Sequence, residues 1–142
     1  MLSSRKTAGI LSVGGFDVSY QMVDALMGNL YYTTLDCPAS AELMAAIRQM
    51  LEKTCRWEMK RMLPDGAIDV TGSTRMGIKR QHNGNLKSIN YPEIVQAFVF
   101  TARITGNPEF LETAKRIAAS QGWPASQARL VVPSSGPFTI NQ

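Results

Sequence analysis

Cysteine and histidine are scarce in this chain, which has two cysteines and one histidine among its 142 residues. The spacing of Cys37 and Cys55 matches no zinc-binding pattern. Cys37 sits near the start of one predicted helix and Cys55 late in the same helix, too far apart along its axis for a disulfide bond between them. We therefore expect buried thiols, and we expect no metal site, no cofactor and no disulfide framework.

Long hydrophobic runs are absent as well. The longest apolar stretch, residues 94–102, is interrupted by Gln96 and Thr101 and falls far short of the ~20 residues that a membrane-spanning helix needs. Two cations precede a short apolar patch at the start of the chain, but the sustained hydrophobic region of a signal peptide does not follow. We expect no membrane span and an irregular arm at residues 1–13, and the compartment stays open.

Acidic residues are outnumbered by basic ones, 11 against 15, which gives a net charge of +4. One basic group lies on a predicted helix with acids interleaved, which is typical of a solvated face. A second group lies in a predicted loop, at Arg75, Lys79, Arg80 and Lys87. The sequence has no nucleic-acid motif and no interleaved aromatic residues that would stack on bases. We expect no nucleic-acid partner, and the loop group favours a polyanion such as an acidic oligo- or polysaccharide.

The composition, with 44% hydrophobic and 18% charged residues, is that of an ordinary folded protein. A chain of this length buries roughly 68–70% of its unfolded surface. Apolar residues recur at spacings of three and four in several stretches, and this periodicity predicts helices. We expect helices near 17–33, 38–62, 92–105 and 108–119, with a last short turn near 125–130. The sequence predicts one all-α domain over residues 1–142, with a long loop at 64–90 and an irregular tail at 131–142.

Two helix boundaries repeat one pattern, at residues 32–38 and 103–111. Each runs from an apolar segment to an Asp or Asn suited to an N-cap, and then to a proline, which the first helical turn tolerates. Gly106 stands where a left-handed residue would end the third helix. The repetition predicts two helical hairpins.

The predicted loop departs from this periodicity. Residues 67–90 are rich in Gly, Ser, Thr, Asn and cations, and only 68–70 and 76–78 favour short extended pieces. A connection of this length without secondary structure is either functional or disordered. The presence of His82 and the second basic group in the loop favours a functional segment. A disordered linker remains the other alternative.

The segment Thr105-Gly-Asn-Pro-Glu-Phe-Leu-Glu112 between two helices resembles the hairpin turn of α/α-toroid carbohydrate-active enzymes, the polysaccharide lyases and glycoside hydrolases. Residues 14–21 look like a glycine-rich loop that enters a helix beside the active cleft, and residues 63–75 resemble a loop that returns to it. The resemblance covers residues 14–120 and implies a C-terminal-like portion of a toroid. A closed toroid needs many more hairpins, so self-association or a second chain is expected to cover the exposed ends.

The resemblance implies acid–base chemistry on a sugar. A lyase needs a base for the proton beside a uronate carboxylate, a proton donor for the leaving oxygen, and groups that stabilise the enolate-like charge. Tyrosine and histidine side chains are the candidates for proton transfer, and arginine with amide side chains for charge stabilisation. The candidate catalytic residues are Asp17, Tyr20, Arg75, His82, Tyr91 and Glu93, and the candidate substrate-binding residues are Gln21, Asn83 and Trp57.

A hydrolase would instead need two carboxyl groups flanking the bond, which Asp17 with Asp69 or Glu93 would supply. Structural explanations exist too, since Asp17 suits an N-cap, Glu93 favours the positive end of a helix and Trp57 suits packing at a helix end. The sequence leaves open whether the chain is an enzyme. The alternative function is a non-catalytic helical module for protein interaction or assembly.

Overall fold

The structure is a computed structural model that describes residues 16–34 and 40–123. Within these ranges the chain forms α1 (Val18–Thr34), α2 (Ala41–Met59), α3 (Tyr91–Thr105) and α4 (Pro108–Ser120), and no strand. The all-α class is therefore confirmed. Cys37 and the predicted elements at 1–13, 125–130 and 131–142 lie outside the described residues. None of the described helices combines the length and apolarity needed to cross a bilayer.

The third helix forms the centre of the core, as its nearly continuous apolar sequence predicts. It packs against α1, α2 and α4, and Ile94, Val95 and Phe98 have no exposed surface. The Phe98 ring lies 6.4 Å from the ring of Phe110 in α4, measured between centroids. Burying one such side chain stabilises the fold by roughly 1.5–3 kcal/mol. The other helices are thus positioned by docking their apolar faces on α3.

Side chains cap the helices, at Asn107 where the sequence predicts and at Ser40 where it does not. The sequence predicts that the second helix starts near Pro38 after an N-cap at Asp36, and both of these residues lie outside the described ranges. The Ser40 hydroxyl accepts a hydrogen bond from the Leu43 amide at 3.1 Å, and the Asn107 side chain accepts one from the Glu109 amide at 3.0 Å. Gly106 ends α3 in the left-handed conformation with φ of 71°, where a glycine carries no steric penalty. The link between α3 and α4 is therefore two residues long, and the two helices pack against each other.

The second helix is shorter than predicted. It begins at Ala41 and ends at Met59, whereas the apolar spacing extends to Met62. The amides of Lys60, Arg61 and Met62 donate to carbonyls three residues earlier, which tightens the last turn. Met62 then pairs with Ile68 in an antiparallel β-bridge. The chain leaves the helix because this pairing replaces the helical hydrogen bonds.

The segment after α2 is a series of hydrogen-bonded turns. Arg80 and Leu86 form a second antiparallel bridge, and Ser73 forms a parallel bridge with Phe16. The expectation that residues 76–78 are extended is wrong, because they form a turn. Hydrogen bonds that join positions distant in sequence define this segment, and periodicity does not report them.

The turn at Gly66 rests directly on α4, which generates the first prediction. Gly66 has a φ of 93°, and a Cβ atom there would lie 2.6 Å from the Arg116 carbonyl oxygen. Backbone strain and the steric conflict together should make Gly66→Ala lower the free energy of unfolding by roughly 2–5 kcal/mol. Urea denaturation monitored by circular dichroism measures this loss.

Gly77→Ala is the matched control. Its φ of 71° imposes similar strain, but a Cβ atom there has no neighbour within 4 Å. It should cost only the conformational part, about 1–2 kcal/mol. Equal losses for the two variants would contradict the packing of the turn against α4.

Candidate functional site

Two cationic side chains from the loop after α2 lie against Tyr20, which is in the first turn of α1. The Arg75 guanidinium carbon is 4.5 Å from the Tyr20 ring centroid and the Lys87 ammonium nitrogen is 4.2 Å from it. The ring remains 43% exposed. Hydrogen bonding from Arg75, then from Lys87, and the positive charges of both lower the pKa of Tyr20. The two cations therefore make the phenolate form of Tyr20 easier to reach than that of an ordinary tyrosine.

The carboxylate of Asp17 connects the start of α1 with Arg75. Its Oδ1 atom accepts hydrogen bonds from the Ser19 amide at 3.0 Å and the Tyr20 amide at 3.2 Å. Its Oδ2 atom lies 3.8 Å from Arg75 Nε. Asp17 is 8% exposed, so this ion pair is shielded from water more than a surface pair would be. The capping alternative is confirmed for Oδ1, and the second oxygen is left to face the arginine.

Backbone hydrogen bonds hold the loop cations beside α1. The Thr74 amide donates to the Phe16 carbonyl at 2.8 Å, which fixes the chain just before Arg75. The Gly77 amide donates to the Lys87 carbonyl, and the Lys87 amide donates to the Lys79 carbonyl, both at 2.8 Å. Two stretches of the loop are thereby drawn together, and one cation from each, Arg75 and Lys87, reaches the Tyr20 ring.

These cations line an open depression of about 650 Å³, which we call the basic basin. Its lining within the described chain is Arg75, Lys79, Arg80, Gln81, His82, Asn83 and Lys87. No carboxyl group belongs to this set. The Arg80 guanidinium donates to the Gly84 carbonyl at 2.7 Å, which orients one of the cations on the rim. Although Arg75 faces the Asp17 carboxylate from outside this lining, like charges gathered in one place raise the local positive potential and attract anions.

Four polar residues from the start of α1, the end of α2 and the loop are buried, namely Asp17, Gln21, Glu58 and Ser73. Glu58 has no exposed surface, Gln21 and Ser73 are each 2% exposed, and the described chain provides no hydrogen-bond donor to either Glu58 oxygen. Burial raises the pKa of Glu58 well above its usual value, while the Arg61 guanidinium opposes this shift and the Asp17 carboxylate adds to it. Burial of Glu58 therefore favours its neutral, protonated form.

Arg61 is occupied elsewhere, which explains why it does not neutralise Glu58 directly. Its Nε and Nη2 atoms donate to the Asp69 carbonyl at 3.1 and 3.0 Å, and Nη2 also donates to the Thr71 carbonyl. Its guanidinium carbon lies 4.8 Å from the centroid of the Phe16 ring. Arg61 thus fastens the loop, and a proton on Glu58 is the less costly way to remove the buried charge.

The structure brings three of the residues predicted from sequence together, namely Asp17, Tyr20 and Arg75. His82 and Asn83 line the basic basin beside them. Gln21 is buried one turn after Asp17. These residues form one region at the start of α1 and the adjoining loop.

Other predicted residues have structural partners away from the basin lining. The Tyr91 hydroxyl accepts a hydrogen bond from the Ile68 amide at 3.1 Å. Glu93 lies in the first turn of α3, where Asn90 caps its amide. The Trp57 ring is 8% exposed and meets the Phe16 ring edge-on at 5.3 Å. Asp69 lies within 3.9 Å of Arg61. None of these four side chains lines the basic basin.

Two residues of the region were missed as individual candidates. Lys87 was predicted only as a member of the basic group, although it contacts Tyr20 as closely as Arg75 does. Glu58 follows the three- and four-residue apolar spacing of α2, so the sequence does not single it out as a candidate. The signal for Glu58 was present, since a glutamate at an apolar position of a helix is buried and its charge needs compensation. The signal for Lys87 was absent, because its position depends on the loop hydrogen bonds.

Comparison with known proteins identifies no relative. No family model, no curated protein and no solved structure matches this chain. The site therefore has to be interpreted from its own geometry.

The buried acid generates the second prediction. Because the folded-state pKa of Glu58 is raised, the unfolded chain binds fewer protons than the folded chain between the two pKa values. The contribution of Glu58 to stability is fully present below its ordinary pKa and is lost as the pH rises through its raised, folded-state pKa, by about 1.4 kcal/mol per pH unit between the two values. Glu58→Gln removes this loss, so the variant should gain stability relative to the parent chain as pH increases.

Urea denaturation at a series of pH values from weakly acid to neutral measures the effect. Glu52→Gln is the control, because Glu52 lies on the same helix and is only partly buried. A difference between Glu58→Gln and the parent chain that does not change with pH would show that Glu58 is ionised in the folded protein.

Proposed function

We propose that the basic basin binds an acidic oligo- or polysaccharide. The observation that supports this proposal is the lining of the basin, which contains four Lys and Arg side chains and no carboxyl group. The planar guanidinium group of arginine can donate two parallel hydrogen bonds to the two oxygens of a carboxylate, and the lysine ammonium group supplies a less directional charge. Gln81 and Asn83 add amide groups that suit sugar hydroxyls. Uronate units present both chemistries together.

The loop also suits a chain-like ligand. The basin is open, so a polymer can pass along it without entering an enclosed cavity. Its charges are exposed, and each exposed pair contributes little alone, about 0.2–1 kcal/mol. A repeating anion engages several of them at once, which raises its effective affinity. This arrangement favours polyanions over single anions of the same kind.

Tyr20 extends the proposal to catalysis. Its phenolate would take the proton next to the uronate carboxylate, and Arg75 and Lys87 would stabilise the negative charge that develops there. The phenol formed would then return its proton to the leaving glycosidic oxygen. Eliminative cleavage needs these groups, whereas hydrolysis by a carboxyl pair has no such pair in the basin lining. We therefore propose a polysaccharide lyase activity rather than a hydrolase.

The toroid interpretation belongs to the same proposal. The two-residue link between α3 and α4, with Gly106 and Asn107 in their predicted roles, supports a hairpin of the toroid type. The site lies where the segment before α1 and the loop after α2 meet, which are the two segments that the resemblance assigns to the cleft. A toroid portion would bind the glycan at this junction.

The third prediction tests binding. Lys79→Gln with Arg80→Gln should weaken the binding of oligouronates roughly 2- to 30-fold, because two exposed charge contacts are lost. Isothermal titration calorimetry measures the affinity, and added salt should weaken it further. Neutral oligosaccharides of the same length should bind more weakly than the acidic ones.

Lys53→Gln with Lys60→Gln is the matched control. It removes the same net charge from the surface of α2, beside Glu52 and outside the basin lining. Equal weakening by the two double variants would mean that overall charge, and not the basin, attracts the glycan. No binding of any acidic glycan by the parent chain would contradict the proposed function.

The fourth prediction concerns the reaction. Tyr20→Phe should retain glycan binding but lower the rate of eliminative cleavage roughly 10²- to 10⁴-fold, which is the usual contribution of a positioned acid–base group. The unsaturated product is followed by its ultraviolet absorbance. Tyr31→Phe, in the same helix and 49% exposed, should leave the rate unchanged. An undiminished rate of cleavage by Tyr20→Phe would show that Tyr20 is not the acid–base group of the reaction.

One observation favours the alternative function, a helical assembly module. Met27 and Tyr31 of α1 are 56% and 49% exposed, and Leu43 of α2 is 42% exposed. Exposed apolar groups of this kind can be covered by a second copy of the chain. A chain that ignores every glycan but sediments as an oligomer would support this alternative.

A further inference from the structure

Arg75 has an unusual environment for a surface arginine. Its side chain is 29% exposed and shares the basin with Lys79, Arg80 and Lys87. Mutual repulsion would favour an outward orientation of Arg75, away from the other cations. Its guanidinium carbon instead lies over the Tyr20 ring, 4.5 Å from the ring centroid. A specific interaction must oppose the repulsion.

The Asp17 carboxylate provides this interaction. Asp17 Oδ2 lies 3.8 Å from Arg75 Nε, an ion pair without a hydrogen bond between the two atoms. The Asp17 side chain cannot turn away readily, because Oδ1 is held by the amides of Ser19 and Tyr20 at 3.0 and 3.2 Å. Both amides belong to the first turn of α1. The helix start therefore fixes the carboxylate, and the carboxylate attracts the Arg75 guanidinium across 3.8 Å.

We propose that Asp17 is a positioning residue that acts on Tyr20 through Arg75, by holding the guanidinium over the phenol ring. Its assignment to a catalytic step rests on the proposed function, whereas its effect on the Tyr20 hydroxyl does not. The sequence suggested a helix cap or a catalytic carboxyl group for Asp17. The geometry assigns it a third role, in which the cap itself orients the second oxygen toward the site.

Two effects of opposite sign make this role testable. Removing the negative charge of Asp17 favours the nearby phenolate by simple electrostatics, and this alone would lower the pKa of Tyr20. Releasing Arg75 removes the group that contributes most to stabilising the phenolate, and this would raise the pKa of Tyr20. The charged groups that act on the hydroxyl are Arg75 and Lys87 of the loop. The direction of the change therefore separates positioning from a bare charge effect.

The fifth prediction uses Asp17→Asn, which keeps an oxygen able to cap α1 but removes the charge. The pKa of Tyr20 should rise toward that of an ordinary tyrosine. Nuclear magnetic resonance of chain labelled with ¹³C at the tyrosine Cζ atoms follows the titration of each ring, and Tyr20→Phe assigns the signal. A Tyr20 pKa that falls or stays unchanged in Asp17→Asn would overturn the proposal.

A double-mutant cycle with Arg75→Gln tests the route of the effect. Arg75→Gln should raise the Tyr20 pKa by itself, and adding Asp17→Asn should raise it no further, because the arginine on which Asp17 acts has gone. Additive changes in the cycle would overturn the route through Arg75. Asp17→Ser, another capping residue, repeats the test if the asparagine variant is poorly folded.

The titration also separates this inference from the proposed function, since it requires no glycan. Failure to bind acidic glycans, together with the expected rise in the Tyr20 pKa, would overturn the function and leave the positioning role intact. If cleavage is observed, its pH–rate profile should move to higher pH in Asp17→Asn along with the Tyr20 titration. Cleavage with an unshifted profile would overturn the role of Asp17 alone.

Discussion

The burial of α3 is the interaction on which the rest of the described structure depends. Its apolar side chains occupy the centre, and each of the other described helices contacts it. A polar contact adds register to this packing, because the Asn29 amide of α1 donates to the Ala25 carbonyl at 2.8 Å and to the Thr101 hydroxyl of α3 at 3.3 Å. A sliding motion of α1 would break this buried pair. The start of α1, with Asp17 and Tyr20, is held in place as a result.

The loop is attached to this framework at several separate points. Phe16 pairs with Ser73, Arg61 binds the carbonyls of Asp69 and Thr71, and the turn at Gly66 rests on α4. Each attachment is modest, since a single hydrogen bond contributes about 0.5–1.5 kcal/mol. Several of them together fix a segment that has little regular secondary structure. The basic side chains of the loop are consequently presented from a supported backbone.

Positive and negative side chains of the region differ in their exposure. Cations line the open basin, where water can screen them, whereas the carboxyl groups of Asp17 and Glu58 are buried. Of the buried carboxyl groups, Asp17 faces Arg75, and burial raises the pKa of Glu58 and so favours its neutral form. This separation gives the surface a positive potential, although acidic residues are close by in the fold. Tyr20 contacts two of these cations, Arg75 and Lys87.

The amino-acid sequence by itself determined the class and most helix boundaries, because periodicity and capping are local properties. Asp17, Asn107 and Gly106 act where their neighbours in the chain indicate. The end of α2 and the course of the loop could not be predicted, since they depend on pairings such as Met62 with Ile68.

The candidate site was likewise only partly predictable from the sequence. Tyr20 and Arg75 were candidates by residue type, and the sequence showed that Lys87 belongs to a basic group. Only the tertiary structure decided that these three side chains meet, that Tyr91 does not line the basin, and that Glu58 is a buried acid. The physical reason is that proximity across the fold is created by long-range packing and loop hydrogen bonds, whereas sequence patterns report the preferences of neighbouring residues.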